Sequence, residues 1–266
     1  MSNASASGRA LVTGASSGIG LELARVFAAN GHPLILVART EPTLQSLAAE
    51  IRQTHKVEVE VVPADLSDPA APQRLFDAVR ERGLDVDILV NNAGVMEVGA
   101  FHAMDAGAVA NIAQVNVMAL TALTSLFLKP MVSRGQGRIL NVASLASFQP
   151  LPSMAVYAAS KAYVLSLTEA LAEEMRGQGV TVTALCPGFT ETKLVEAAKQ
   201  ENAVMRAMPA ALMADPRDVA QEGYRACMEG QVVRVPGTAL SLATGLIQAQ
   251  RNVVRTVTGL FGRRAM

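Results

Sequence analysis

Short apolar runs alternate with helical-period stretches along most of this chain. Residues 10–13, 34–38, 57–62, 88–91, 139–143 and 181–186 are near-continuous apolar segments, the pattern of parallel strands covered on both faces. Between them, apolar residues recur at helical spacing over 19–30, 43–53, 69–82, 111–133 and 155–177. Gly31, directly after Asn30, marks a stop for the first helix. Strand and helix in alternation predict an α/β fold: one doubly wound, Rossmann-type domain with a parallel sheet of about seven strands and helices on both faces. The rhythm breaks over 189–214, where Met205, Met208, Pro209 and Met213 fall in a stretch with few strand signals; it reads as a mobile helical flap. A helix over 216–228 and a seventh strand over 231–235 follow, then a C-terminal helical extension over about 238–266. No repeat, low-complexity tract or linker divides residues 1–266. A single domain is therefore expected, with 1–8 as a flexible start.

Composition removes several function classes. Residues 106–128 carry no charge and are long enough to cross a bilayer. Asn111, Gln114 and Asn116 lie inside that stretch, so it reads as a helix buried on more than one side. Lys plus Arg equal Asp plus Glu at 23 each, which leaves no global field for nucleic acid. Cys186 and Cys227 are too few for a disulfide framework. His32, His55 and His102 show no ligand spacing, so no metal site is expected. The start, MSNASASGRA, lacks the basic-then-apolar order of a signal peptide, and the cytoplasm is the expected location.

Directly after the first strand comes Thr13-Gly14-Ala15-Ser16-Ser17-Gly18-Ile19-Gly20, opening the first helix. Glycines there permit a tight turn and let backbone N–H groups approach a pyrophosphate, with the helix N-terminus adding partial positive charge. Further along stand Asn91-Asn92-Ala93-Gly94 after the fourth strand, Ser144, Tyr157-x-x-x-Lys161 and Pro187-Gly188. In order and spacing these resemble the short-chain dehydrogenase/reductase family over residues 9 to 235, nearly the whole chain. The resemblance implies hydride transfer between a nicotinamide cofactor and a carbonyl or secondary alcohol. It implies that Tyr157 donates the proton during reduction and that Lys161 holds the nicotinamide ribose. It also implies that Ser144 hydrogen-bonds the substrate oxygen and that Asn116 helps a water link Lys161 to solvent. By the same resemblance Gly14, Ser16, Ser17, Gly18 and Ile19 support the pyrophosphate. Asp65 and Leu66 meet the adenine, Asn91, Ala93 and Gly94 line the groove, and Pro187, Gly188, Thr190 and Thr192 meet the nicotinamide. Each residue alone has a plainer reading: a packed tyrosine, a turn cap at Ser144, a brace between strands at Asn116, an N-cap at Asp65.

Tyr157 and Lys161 are four apart on a helix and share one face. A fixed ammonium about 5 Å from a phenol, at an effective dielectric of about 20, favours phenolate by roughly 3 kcal/mol, about two pKa units. The position ending the second strand, where an acid reads a free ribose hydroxyl, is Ala38 followed by Arg39. Arg39 suits a 2′-phosphate, so NADP(H) is the expected cofactor, with NAD(H) as the alternative.

The main rival is a non-catalytic dinucleotide sensor on the same fold; such proteins characteristically lose the tyrosine or lysine retained here. Helices 111–133 and 155–177 are apolar beyond one face. In the family this pair forms a dimer interface, so a homodimer or homotetramer is expected. The substrate side should come from 96–103, 146–155 and the flap, which carry Phe148, Leu151 and Met154; a lipophilic ketone or alcohol is expected. From Gly230 onward there are five arginines and no acid, and apolar residues at helical spacing include Leu246, Val253, Val257 and Phe261. This tail is similar to those of bacterial hydroxysteroid and long-chain β-ketoacyl reductases. It reads as a subunit contact, a substrate lid, or a basic amphipathic membrane-surface helix.

Overall fold

The structure, a computed structural model, describes residues 8–201, 206 and 213–237. Each central strand buries both faces, as its unbroken apolar run requires. In β1 (Ala10–Thr13), Ala10 and Val12 enter one core and Leu11 the other. In β2 (Leu34–Val37), Leu34 and Leu36 oppose Ile35 and Val37 in the same way, because successive side chains of a strand point to opposite faces. With β3 (Val59–Val61), β4 (Ile88–Asn91), β5 (Gly137–Val142), β6 (Val180–Leu185) and β7 (Val233–Arg234) they form one sheet, ordered 3-2-1-4-5-6-7 and parallel throughout. The predicted third and seventh strands shrink to three and two residues.

Helices α1 (Gly18–Ala29) and α2 (Glu41–His55) cover one face through Leu23, Phe27, Leu44 and Ile51. The other face is covered by α3 (Ala71–Glu81), by a long helix, and by α6 (Ala155–Glu174). The long helix runs unbroken over Ala106–Arg134: α4 (Ala106–Ala113), a π turn at Gln114–Ala119, then α5 (Leu120–Arg134). It begins five residues before the predicted start because Asp105 caps it, accepting from Ala108 N at 2.9 Å. Its mean hydropathy of 1.5 would suit a membrane span, yet Leu123, Phe127 and Met131 enter the second core and Phe127 meets Phe76 edge-on at 5.1 Å. Within the predicted flap, α7 (Lys193–Glu201) is a helix. The flap's base is pinned where Ala214 N donates to Phe189 O at 2.8 Å and Glu191 N to Ala214 O at 3.1 Å. The last described helix, α8 (Pro216–Glu229), returns to pack Val219, Ala220 and Cys227 beside α1. The C-terminal extension lies outside the described residues.

The chain leaves β1 toward β3 and then crosses back to β4 on the other side. Neighbouring crossovers thus run to opposite faces at the β1–β4 boundary, which opens a crevice above the C-terminal strand ends.

Candidate active site

That crevice is a cleft bounded by the glycine loop, the loops after β2 to β5, the start of α6 and the start of α7. Gly14 stands at φ +66, and a Cβ there would fall 2.8 Å from Asn92 Nδ2 and 3.0 Å from the Ala93 backbone. Asn92 holds the loop by donating from Nδ2 to Thr13 O at 2.9 Å, while Thr13 Oγ1 accepts from the amides of Asn92 and Ala93. Helix α1 has no acid in its first turn and its N-cap Ser17 makes no side-chain cap bond. A helix start with bare N–H groups facing an open cradle fits a diphosphate. Thr192 closes the cradle from above, its Cγ2 2.9 Å from where a Gly18 Cβ would be. At the far rim, Arg39 and Thr40 are exposed and line the cleft, and Thr40 caps α2 without using its hydroxyl.

At the other end lie Ser144, Tyr157 and Lys161. Lys161 is 5 % exposed, and among the described residues its Nζ donates to Val142 O at 2.8 Å. An ammonium has three N–H donors, so two have no partner among the described residues and can turn to the cleft. The chain above it is Gly94; a Cβ there would come to 3.5 Å from Nζ and 3.4 Å from Asn116 Oδ1, so the ammonium faces the cleft past bare backbone. Burial pulls the Lys161 pKa down to about 8, against a smaller upward push from Cys186.

Tyr157 corrects one expectation. Its ring centroid is 5.8 Å from Lys161 Nζ, but its pKa is raised: burial dominates, and the Ser144 hydrogen bond offsets only part of it. The expected drop does not occur, because burial of the phenol itself disfavours the charged form.

Most other candidates line the same cleft: Ser16, Ile19, Asp65, Leu66, Ala93, Pro187, Gly188 and Thr190. Asp65 is not an N-cap, since α3 starts from Ala70. Its Oδ1 accepts from Ser67 N at 3.0 Å and Ser67 Oγ at 2.8 Å, and these bonds, with Arg39 as a weaker influence, hold its pKa low. Two candidates sit elsewhere. The Asn91 side chain, expected in the groove, is turned into the core, where Nδ2 donates to Thr124 Oγ1 at 3.0 Å and Asn141 Oδ1 at 2.9 Å. Alternation along β4 explains it: Asn91 shares the face of Leu89, which packs under the long helix. Asn116 lies behind the wall on the π turn: its Oδ1 accepts from Val95 N and its Nδ2 donates to Val95 O, both at 2.9 Å. Of the substrate-side residues expected to be apolar walls, Phe148 packs instead against the core beneath the sheet. Asn92, quoted in the motif without a role, and Thr40 and Lys193, outside every motif, also line the cleft. Among the described residues no cluster of three metal-ligating side chains occurs.

Known proteins share this fold. The short chain dehydrogenase profile matches residues 9–203. The 3-oxoacyl-(acyl-carrier-protein) reductase FabG of Vibrio cholerae is 33 % identical over 213 residues, covering 79 % of this chain and 86 % of the relative. A short-chain dehydrogenase from Sphingobium yanoikuyae, solved in complex with NADPH, superposes with a TM-score of 0.83 at 32 % identity, covering 93 % of this chain and 94 % of that one. The bulky-bulky ketone specific alcohol dehydrogenase from Comamonas testosteroni superposes at 0.80 with 29 % identity, covering 94 % of each chain. This chain belongs to the short-chain dehydrogenase/reductase family and is an oxidoreductase acting on carbonyl or alcohol groups.

Proposed function

We propose that the protein transfers hydride between NADP(H) and a lipophilic ketone or secondary alcohol, with Tyr157 as the general acid and base. The observation that carries this is the joining of two half-sites in one cleft: an anion cradle at one end and Ser144, Tyr157 and Lys161 at the other. The cofactor supplies the hydride when bound. Gly14, Ser17, Gly18 and Ile19 would cradle its diphosphate, and the free donors of Lys161 would take the ribose hydroxyls. Arg39 and Thr40 would take the 2′-phosphate, Asp65 and Leu66 the adenine, and Pro187, Gly188 and Thr192 the nicotinamide. Burial keeps the phenol of Tyr157 protonated at neutral pH, which suits donation to a carbonyl oxygen as it gains charge. Asn116 ties the Val95 backbone beside Lys161, and a water there would connect the lysine to solvent.

Two features support a lipophilic substrate. Val95, Leu194 and Val195 line the cleft, and Met96, Val98 and Met213 pack around Val195 and Ala198 to form an apolar wall from the flap. The relatives named for a bulky ketone and for a 3-oxoacyl group point the same way. A dinucleotide sensor would have no use for a proton-transfer pair at the cleft floor. The test is NADPH consumption, against NADH, with acetone, 2-decanone and benzophenone. Turnover preferring NADPH and the larger ketones is expected; no turnover of any ketone with either cofactor would favour the sensor.

The outer faces of the long helix and α6 support a homo-oligomer. Met118 is 60 % exposed, Tyr163 is 39 % exposed, and Tyr163 OH meets Thr121 Oγ1 at 3.0 Å across the two helices. An exposed apolar pair on adjoining helices fits a second copy of the same pair.

A further inference from the structure

Ser144 opens a short 3-10 turn, Leu145–Phe148, and the third residue of that turn is Ser147, which is buried. The two serines cap each other. Ser144 Oγ accepts from backbone amides of the turn, Ala146 N at 3.1 Å among them, while Ser147 Oγ accepts from Ser144 N at 3.3 Å. Ser147 Oγ also donates to the carbonyl of Lys161 at 2.8 Å. A hydroxyl has one proton and two lone pairs. The proton of Ser147 is committed to the α6 backbone, so toward Ser144 it can only accept. The lone pairs of Ser144 face backbone amides, so what it offers the cleft is its proton, which in the free protein goes to the Tyr157 oxygen.

We infer that Ser147 is a positioning residue: it registers Ser144 against the helix carrying Tyr157 and Lys161 and holds the Ser144 hydroxyl as a hydrogen-bond donor to the reacting oxygen. The inference rests on the reading of Ser144 as a substrate contact. A reacting oxygen needs donors from Tyr157 and Ser144 at once. One hydroxyl that touches neither substrate nor cofactor thus sets the distance between them.

The test is a double-mutant cycle, S144A, S147A and both together, with NADPH and the best ketone of the series above. S147A should lower kcat about 10- to 100-fold, the scale of a small misplacement of a catalytic group. Its NADPH dissociation constant, read by fluorescence without ketone, should stay within about twofold, because the diphosphate cradle is untouched. Amide exchange in the free protein should quicken at Ser144 and not within α6. In the S144A background, adding S147A should change kcat by less than about twofold. If S147A does not fold by thermal melting, S147G removes the same hydroxyl and replaces it throughout. A full-sized S147A effect persisting in the S144A background overturns the inference while leaving the proposed function standing. An unchanged kcat in S144A alone removes the reading of Ser144, and the inference with it.

Discussion

In the proposed reaction Tyr157 carries the proton. Tyr157→Phe keeps the ring and removes the proton, so folding and NADPH binding should persist while turnover drops roughly 100- to 10,000-fold; a variant retaining about a tenth of the wild-type rate would contradict the assignment. Arg39 stands exposed at the adenine rim with no acid ending β2. Arg39→Asp should shift the ratio of kcat/KM for NADPH over NADH toward NADH, and a wild type that uses both equally would refute the role given to it. Lys161 matters for stability as well. Its pKa inside the fold is about 8 against 10.5 in the open chain, so at neutral pH its buried charge costs roughly 3 kcal/mol. Between those two values the unfolded chain binds the proton more tightly, so this group makes the fold more stable as pH rises. Cys227 opposes it above 9, because its thiol is pushed up to about 12 by burial. Comparing wild type with Lys161→Met isolates the lysine. The variant should be inactive yet more stable at pH 7 by roughly 2 kcal/mol, allowing for the donor lost at Val142 O. That gap should narrow toward pH 10 in urea melts, and a Met variant less stable than wild type at pH 7 would contradict it.

Elements meet at distances that leave no room for a methyl group at one point in particular. A Cβ on Gly20, in the first turn of α1, would fall 2.2 Å from Asn92 Nδ2 and 2.3 Å from Gly14 O. Gly20→Ala should therefore push α1 away from the loop after β4, cost about 1–3 kcal/mol, and weaken NADPH binding with it. Gly99→Ala is the control: its Cβ would find only Met104 Cε, at 4.0 Å, and stability should stay within about 0.5 kcal/mol. The long helix adds a lesson of its own. Its apolar period announced a helix, but the π turn at Gln114–Ala119 that swings Asn116 onto Val95 follows no residue pattern. Such turns are rare and are found mostly at functional sites.

For the whole molecule, the two outer helices make assembly the next question. Met118→Asp places a charge at the centre of the exposed face formed with Tyr163. It should turn a dimer or tetramer into smaller species by light scattering at micromolar concentration, and a wild-type monomer would refute the interface.

Period and spacing were enough for much of this protein. Continuous apolar runs such as Leu34–Val37 specify strands buried on both faces because they are too short between turn signals to be buried helices. The glycine loop and the Tyr157–Lys161 pair were legible because backbone close approach and an i,i+4 face are local geometry. What lies beyond neighbouring residues was not. That Asn91 turns inward while Asn92 clamps the glycine loop depends on strand facing and on the Thr13 hydroxyl 79 residues away. The direction of the Tyr157 pKa depended on how much of the cleft is dry, and no spacing encodes dielectric. Ser147 belongs to no motif, and only the fold brings it to 2.8 Å from the Lys161 carbonyl. Local chemistry is written in the chain, while distances between remote side chains and the water left between them arise only when the layers close.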